Sequence, residues 1–185
     1  MNRRTFVIAA GSAPLAACGS AAVATFPTIV AAQAALDALL TTPHRTTAGW
    51  KLPAVLEHAA QSVEYSMSGF PEMKSEWFRA TIGTAAFAVF DAKGSMQHSL
   101  TEPIPGAPLL GEPPLLQAAG RLKKALREFE AHRGSLAPHF AYGSLDHARY
   151  TRAHLMHLAN HWTQVVRAET AHAQSTKERD VKVFA

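Results

Sequence analysis

The chain has 185 residues, a length that suits one compact domain, and a net charge of +4 from 18 basic and 14 acidic residues. Without Arg3 and Arg4, which lie in a predicted export signal, 16 basic residues remain, and they are spread along the chain rather than concentrated, which argues against a nucleic-acid-binding protein. The single cysteine excludes an internal disulfide, and no later stretch has the roughly 18 unbroken apolar residues of a membrane span.

The start of the chain has the features of an export signal. The pair Arg3-Arg4 precedes an apolar run over residues 6–17 that is too short to cross a bilayer. The pair resembles the twin-arginine signal, and the sequence LAAC at 15–18 resembles the lipobox of bacterial lipoproteins. A plain secretory peptide with a chance cysteine is the alternative.

We therefore expect a signal peptide over residues 1–17, export by the twin-arginine route, and lipid on Cys18 that attaches a periplasmic or cell-envelope lipoprotein to the membrane. A lipidated Cys18 leaves no free thiol, so cysteine catalysis is excluded. Residues 18–27 then form a linker, residues 28–175 a helical domain, and residues 176–185 a charged tail.

Apolar residues at helical spacing predict an all-α domain, for which a bundle is the natural architecture. The first helix covers apolar positions 29, 32, 36, 39 and 40 and closes at Pro43. The second runs from Trp50 to about Met67, and a third runs from Phe78 to near Gly94. The residues of the third helix that are expected to face the core are Phe78, Ile82, Ala85, Ala86, Val89 and Phe90.

The fourth helix is the clearest, because its apolar residues repeat almost as a heptad seam. They are Leu115, Ala119, Leu122, Ala125, Leu126 and Phe129. Before it, residues 98–114 hold five prolines and two glycines, so this connection cannot be helical and forms either the wall of a site or a plain crossover. A last helix follows, with Ser144 as its expected cap and Asp146 in its first turn.

The last helix carries three histidines within eight residues. On a helix, His154, His157 and His161 lie within about 60° of one another. His157 and His161 are one turn apart and can reach one ion, whereas His154 and His161 are about 10.5 Å apart along the axis. His154 with His157 stays open as a pair, and His58 on the second helix is the candidate for a third ligand. Solvated or core histidines are the alternative to a metal site.

The segment from His157 to Gln164 resembles the final-helix motif of the DinB-like superfamily, in which two histidines four residues apart are followed by a glutamine. The segment around His58 and the loops IPGAP and PHFAYGSL resemble an uncharacterised, domain-of-unknown-function branch of that superfamily, over residues 48–165. The resemblance implies a DinB-like four-helix bundle with long proline-rich loops. It also implies a divalent metal held by His58, His157 and His161.

Two further residues are interpreted through this resemblance. His154 becomes an alternative ligand or a group beside the ligands. Many relatives have a histidine where this chain has Asn160, a position usually regarded as beside the ligand pair, so the predicted metal site is kept.

Three histidines leave coordination positions for water or substrate, as in catalytic sites, and imidazole suits zinc, nickel, iron and copper alike, with zinc as the default. Related families include metal-dependent thiol transferases. The favoured function is a metal-dependent enzyme, thiol-transferase- or hydrolase-like, that acts on a small molecule. A non-catalytic metal- or ligand-binding lipoprotein and a scaffold are the alternatives, and a homodimer is left open.

The candidates for a general base or proton donor are Gln61 and Tyr65 on the helix that carries His58, and His139 and Tyr142 in the loop before the last helix. Gln164 continues the ligand face and is expected to orient a bound water. For the two tyrosines a core-edge anchor is the alternative role. No glutamate stands beside the histidine pair as in HExxH, which disfavours peptide hydrolysis.

Overall fold

The computed structural model describes residues 25–168, which are mostly helical, and the predicted all-α class is confirmed. The predicted signal peptide, Cys18 and the charged tail lie outside the described residues. In chain order the elements are α1 (Ile29–Thr41), β1 (His44–Thr46), α2 (Leu52–Ser68), α3 (Glu76–Phe78), a π-helical turn (Arg79–Gly83), α4 (Thr84–Lys93), α5 (Leu115–Ala131), α6 (His147–Trp162) and β2 (Val165–Arg167). Within residues 25–168, no helix combines the length and apolarity that a membrane crossing requires.

The core lies mainly between α2 and α5, which form the most extensive helix pair. Both helices bury the apolar stripes that their sequences predict: Leu56 of α2 is fully buried, as are Leu122 and Phe129 of α5. At the edge of this interface Arg121 of α5 binds the carboxylates of Glu57 and Glu64, both on α2. The packing of α2 on α5 therefore holds in place the side chains on the other face of α2, which include His58.

The third predicted helix exists, and Phe90 packs against the core as predicted, but Ile82, Ala85 and Val89 do not face the core. Ile82 and Val89 are each 50% exposed, whereas Gly83 and Phe87 are buried. The π-helical turn explains the difference, because it holds more residues per turn and so rotates the following residues about the axis. The close approach of this turn to Ala141 requires glycine at position 83, since a Cβ there would lie 1.8 Å from the carbonyl oxygen of Ala141.

The last helix begins later than predicted. Its N-cap is Asp146, whose carboxylate accepts the backbone N–H of Arg149, so the expected cap at Ser144 is wrong. Asp146 is preferred because it lies directly before the first helical residue, His147, whereas Ser144 lies two residues further out. Tyr150 in the first turns is fully buried, and its hydroxyl donates to the carbonyl of Ala137. These contacts fix α6 and the histidines that follow along it.

A short antiparallel ladder joins the two ends of the described chain. Strand β1 pairs with β2, with Thr46 opposite Val165 and His44 opposite Arg167. The backbone N–H of Thr47 also donates to the carbonyl of Gln164 at 2.9 Å. Three-residue strands are below the length that alternation can predict, so no sequence pattern indicates them. The ladder holds Trp50 and Gln164 close to the end of α6.

The segment over residues 95–114, between α4 and α5, has no regular secondary structure, as its prolines predict. It is nevertheless packed, because Met96 and Ile104 are buried. The Gln61 amide on α2 donates to the carbonyl of Pro108 at 3.3 Å, which ties this segment to the helix that carries His58.

Candidate metal centre

Two helices bring three histidines together. α2 supplies His58, and α6 supplies His157 and His161 from adjacent turns. One ring nitrogen from each lies within 4.8 Å of the other two. His58 and His161 are almost completely buried, at 3% and 0% exposure. The structure therefore brings together the three residues that the sequence predicts as metal ligands.

The ring nitrogens fit a divalent ion. Nε2 of His58 and Nε2 of His157 are 3.1 Å apart, close to the separation of about 3.3 Å expected between two nitrogens in a tetrahedral zinc site. Nε2 of His161 and Nδ1 of His58 are buried without a hydrogen-bond partner among residues 25–168. Buried nitrogens of this kind cost free energy unless a cation or a donor meets them. Three converging imidazoles are a donor set for zinc, nickel, copper or iron.

Burial keeps these imidazoles neutral. Burial, helped by the charge that His98 would carry, lowers the pKa of His58 to about 4. Burial, helped by the charges that His58 and His98 would carry, lowers the pKa of His161 to about 3. Burial is also the main reason that the pKa of His157 lies well below its usual value. Neutral imidazoles keep the lone pair that a metal requires.

Gln164 lies beside His161 rather than over an open position of the trio. Its amide nitrogen is 3.5 Å from Nδ1 of His161, and its amide oxygen is buried without a partner among the described residues. Turning the amide by half a turn places the oxygen against Nδ1, where it accepts the Nδ1 proton. That arrangement leaves Nε2 of His161 free to bind an ion.

Trp50 covers the trio from the side of β1. Its ring lies 5.0 Å from the ring of His58 and stacks on His161, with centroids 6.3 Å apart and an angle of 12° between the planes. The sequence predicted Trp50 only as the start of α2. Its role depends on the β1–β2 ladder, which no sequence pattern indicates.

A fourth histidine, His98, was missed by the sequence analysis. It lies in the segment between α4 and α5, and its ring is 4.8 Å from that of His157 and 5.1 Å from that of His161. Asn160, where many relatives have a histidine, donates from Nδ2 to the carbonyl of His98 at 3.3 Å. His98 belongs to no helix, so helical spacing could not connect it with the trio.

A cavity of about 180 Å³ opens beside the trio. His58, His98 and His157 form one end, and His139, Tyr142 and His154 form another part of the wall. Lys74 and Glu102 bring one charge of each sign, and Pro103, Ile104 and Pro105 of the proline-rich segment contribute apolar wall. The proline-rich segment therefore forms part of a site wall, one of the two roles left open by the sequence.

His154 does not join the trio. The Ser66 hydroxyl donates to the carbonyl of Val63 at 2.6 Å, so it accepts from Nε2–H of His154 at 3.2 Å. His154 also lies 4.9 Å from the ring of Phe129. Burial, helped by His147, lowers its pKa to about 3. His154 is a neutral wall residue of the cavity whose Nε2 is used within the protein.

The other candidates divide between cavity and core. His139 lines the cavity, and its Nδ1 accepts the backbone N–H groups of Ala141 and Tyr142, so its proton lies on Nε2. Tyr142 also lines the cavity, and burial raises its pKa to about 12. Tyr65 packs 5.8 Å from Phe70 and does not line this cavity, nor does Gln61, which binds the proline-rich segment.

Comparison with known proteins gives a family but no characterised relative. No curated protein and no solved structure matches the chain. One family model matches residues 22–168, which include both helices that carry the trio and the segment that carries His98. The chain therefore belongs to the family described as Protein of unknown function (DUF1569).

Proposed function

We propose that this protein binds one divalent metal ion through His58, His157 and His161 and uses it on a small molecule that enters the adjacent cavity. The observation that carries the proposal is the approach of three ring nitrogens to within 4.8 Å of one another, beside a cavity that His58 and His157 line. The low pKa values of these histidines support it, because the ligands need not lose protons before they bind.

The DinB-like bundle is part of the same proposal. Contacts of α1 with α5 and α6, and of α2 with α5 and α6, support a four-helix arrangement of these helices. The resemblance of the segment from His157 to Gln164 to the DinB-like final-helix motif is a second support. The ligand positions then fall on two facing helices, as is usual for metal sites within bundles.

A divalent ion at this position would supply Lewis-acid chemistry to a substrate, which suits a thiol-transferase- or hydrolase-like reaction. The protein's own residues would bind and orient that substrate. His139 is a neutral imidazole with its proton on Nε2, which makes it a hydrogen-bond donor in the cavity wall. Tyr142 is a neutral phenol whose hydroxyl donates to Sδ of Met96 at 3.9 Å, so its oxygen can accept a hydrogen bond from a substrate. Lys74 and Glu102 offer a charged contact for either sign of substrate group.

Metal analysis tests this proposal directly. We expect about one equivalent of zinc, or of another divalent ion, in the purified full chain after reconstitution, and loss of the ion from His58→Ala, His157→Ala and His161→Ala. His132→Ala is the matched control, because His132 lies after α5 and contacts Ser135, away from the trio. A wild-type chain that retains no ion, or alanine variants that keep it, would refute the proposal.

Metal binding without turnover is a second candidate function. It is favoured by His98, since a fourth imidazole beside the trio resembles the closed ligand sets of structural sites more than the open ones of catalytic sites.

A further inference from the structure

We infer that His98 is a fourth protein ligand of the same ion, so that metal binding fixes the proline-rich segment over the cavity. The inference rests on the proposed metal site and adds a residue from outside the two ligand helices. The first observation is the position of His98. The centroid of its ring lies 4.8 Å from that of His157 and 5.1 Å from that of His161, the two ligands on α6.

The hydrogen bonding of His98 determines which nitrogen is free. Nδ1 lies 2.7 Å from the carbonyl oxygen of Ser99, and because a carbonyl can only accept, Nδ1 carries the proton. Nε2 therefore holds a lone pair, and this atom is buried without a partner among residues 25–168. A ring N–H bound to a backbone carbonyl is the usual support of a metal-ligating histidine.

The backbone around His98 is held from two sides. Asn160, directly before the ligand His161, donates to the carbonyl of His98 at 3.3 Å. Thr101 packs so closely on Gly49 that a Cβ there would lie 2.6 Å from its Cγ2. Gly49 has a φ of 70°, a left-handed conformation that favours glycine. The loop with Trp50 and the segment with His98 therefore close over the trio together.

Four histidines change what the site can do. A trio leaves a position for an outside ligand, whereas a fourth imidazole fills a tetrahedral ion. With His98 bound, a substrate must displace it or expand the coordination number. The segment over residues 95–114 would then be ordered by the ion, since His98 belongs to it.

Cobalt(II) substitution and X-ray absorption test this inference on the full chain. We expect four imidazole nitrogens around zinc in the wild type, and a four-coordinate visible spectrum with cobalt that free azide does not alter. In His98→Ala one imidazole should be replaced by an oxygen donor, azide should shift the cobalt spectrum, and free imidazole should restore it. Metal affinity should fall by at least about 10- to 100-fold, because losing a ligand costs no less than losing the hydrogen-bond partner of a ligand.

Two further variants separate a ligand from a packing residue. Gln97→Ala changes an exposed neighbour in the same segment and should leave spectrum and affinity unchanged. His98→Gln fills the space without imidazole and should behave like His98→Ala. In addition, zinc should protect residues 95–114 from limited proteolysis in the wild type and in Gln97→Ala, but not in His98→Ala.

The outcomes are distinguishable from failure of the proposed function. Three imidazoles in the wild type, with unchanged affinity in both His98 variants, would overturn this inference and leave the three-histidine site intact. A wild-type chain that binds no metal would overturn both. Variant folding does not limit the test, because the count of imidazoles is made on the wild type.

Discussion

Gln164 places its side-chain amide 3.5 Å from Nδ1 of His161, two residues beyond the end of α6. Both side chains are buried, and the backbone carbonyl of Gln164 is held by Thr47. The contact orients the imidazole. With the amide turned by half a turn, so that its oxygen faces Nδ1, it also holds the proton of His161 on Nδ1 and leaves Nε2 free for an ion.

Gln164→Leu should therefore weaken zinc binding by about 10- to 100-fold, the usual effect of removing such a partner. Gln164→Glu should keep tight binding, because a carboxylate also accepts the Nδ1 proton. Competition with a chromophoric chelator measures both variants. Gln117→Leu, at an exposed position of α5, is the control, and equal affinity in Gln164→Leu and wild type would contradict the assignment.

The pH dependence of the metal-free protein follows from six buried or half-buried histidines with lowered pKa values. They are His58, His98, His139, His154, His157 and His161. The unfolded chain takes up these protons near pH 6.5, whereas the folded chain resists them until lower pH. The free energy of unfolding should therefore be constant above about pH 7 and fall as the pH drops towards about 4, by up to ~1.4 kcal/mol per pH unit for each histidine.

Urea unfolding followed by circular dichroism at about pH 7.5, 6 and 5 measures this slope. His154→Gln can still donate to Ser66 but cannot take up a proton, so it should reduce the slope by about one histidine's share. His132→Gln should leave the slope unchanged. Equal stability at the highest and lowest pH would show that the buried histidines are protonated in the folded state.

Gly83 and Gly120 form a matched pair for the packing of the π-helical turn. Gly83→Ala should destabilise the protein by about 1–3 kcal/mol or more, because its Cβ would meet the Ala141 carbonyl at 1.8 Å. Gly120→Ala has no such neighbour within 4 Å and lies in α5, so it should stabilise by about 0.5–1 kcal/mol. Thermal unfolding compares the two, and a tolerated Gly83→Ala would show that the turn can move away from the cavity wall.

The export signal gives a prediction for the cell. The LAAC sequence predicts that protein extracted from membranes begins at an acylated Cys18, which mass spectrometry detects. Cys18→Ser should move the protein out of the membrane fraction. The double substitution Arg3→Lys and Arg4→Lys should block export by the twin-arginine route. Export that survives the lysine pair would instead indicate the general secretory route.

The sequence predicted the helices that bury one regular stripe. In α1 and α5 the apolar spacing corresponds directly to burial, as at Leu36 and Leu122, whereas α2 is buried on every side over residues 54–63. It failed at Ile82 because a π-helical turn, in which Gly83 approaches Ala141, interrupts the register. That approach joins residues 58 positions apart in the chain, which local spacing cannot reveal.

The candidate site was predictable where a helix carries it. Spacing within α6 indicates His157 and His161. His58 lies on another helix, so it was a candidate third ligand, and the family resemblance then assigned it to the same ion. His98 and Trp50 lie in irregular segments, where neither helical nor strand periodicity applies. His154 shares a helix face with the ligands, yet its hydrogen bond to Ser66 takes it to another part of the cavity wall.

The three-residue pairing of β1 with β2 could make release of the ion independent of unfolding of the helices. Opening this ladder frees Gln164 and the end of α6 from Thr47, and it disturbs none of the packing between α2 and α5. A ladder of two three-residue strands opens at far lower cost than a helical core. In a metal-loaded chain, the lifetime of the bound ion would then be set by how often this ladder opens, and a protein that is hard to melt could still exchange its metal quickly.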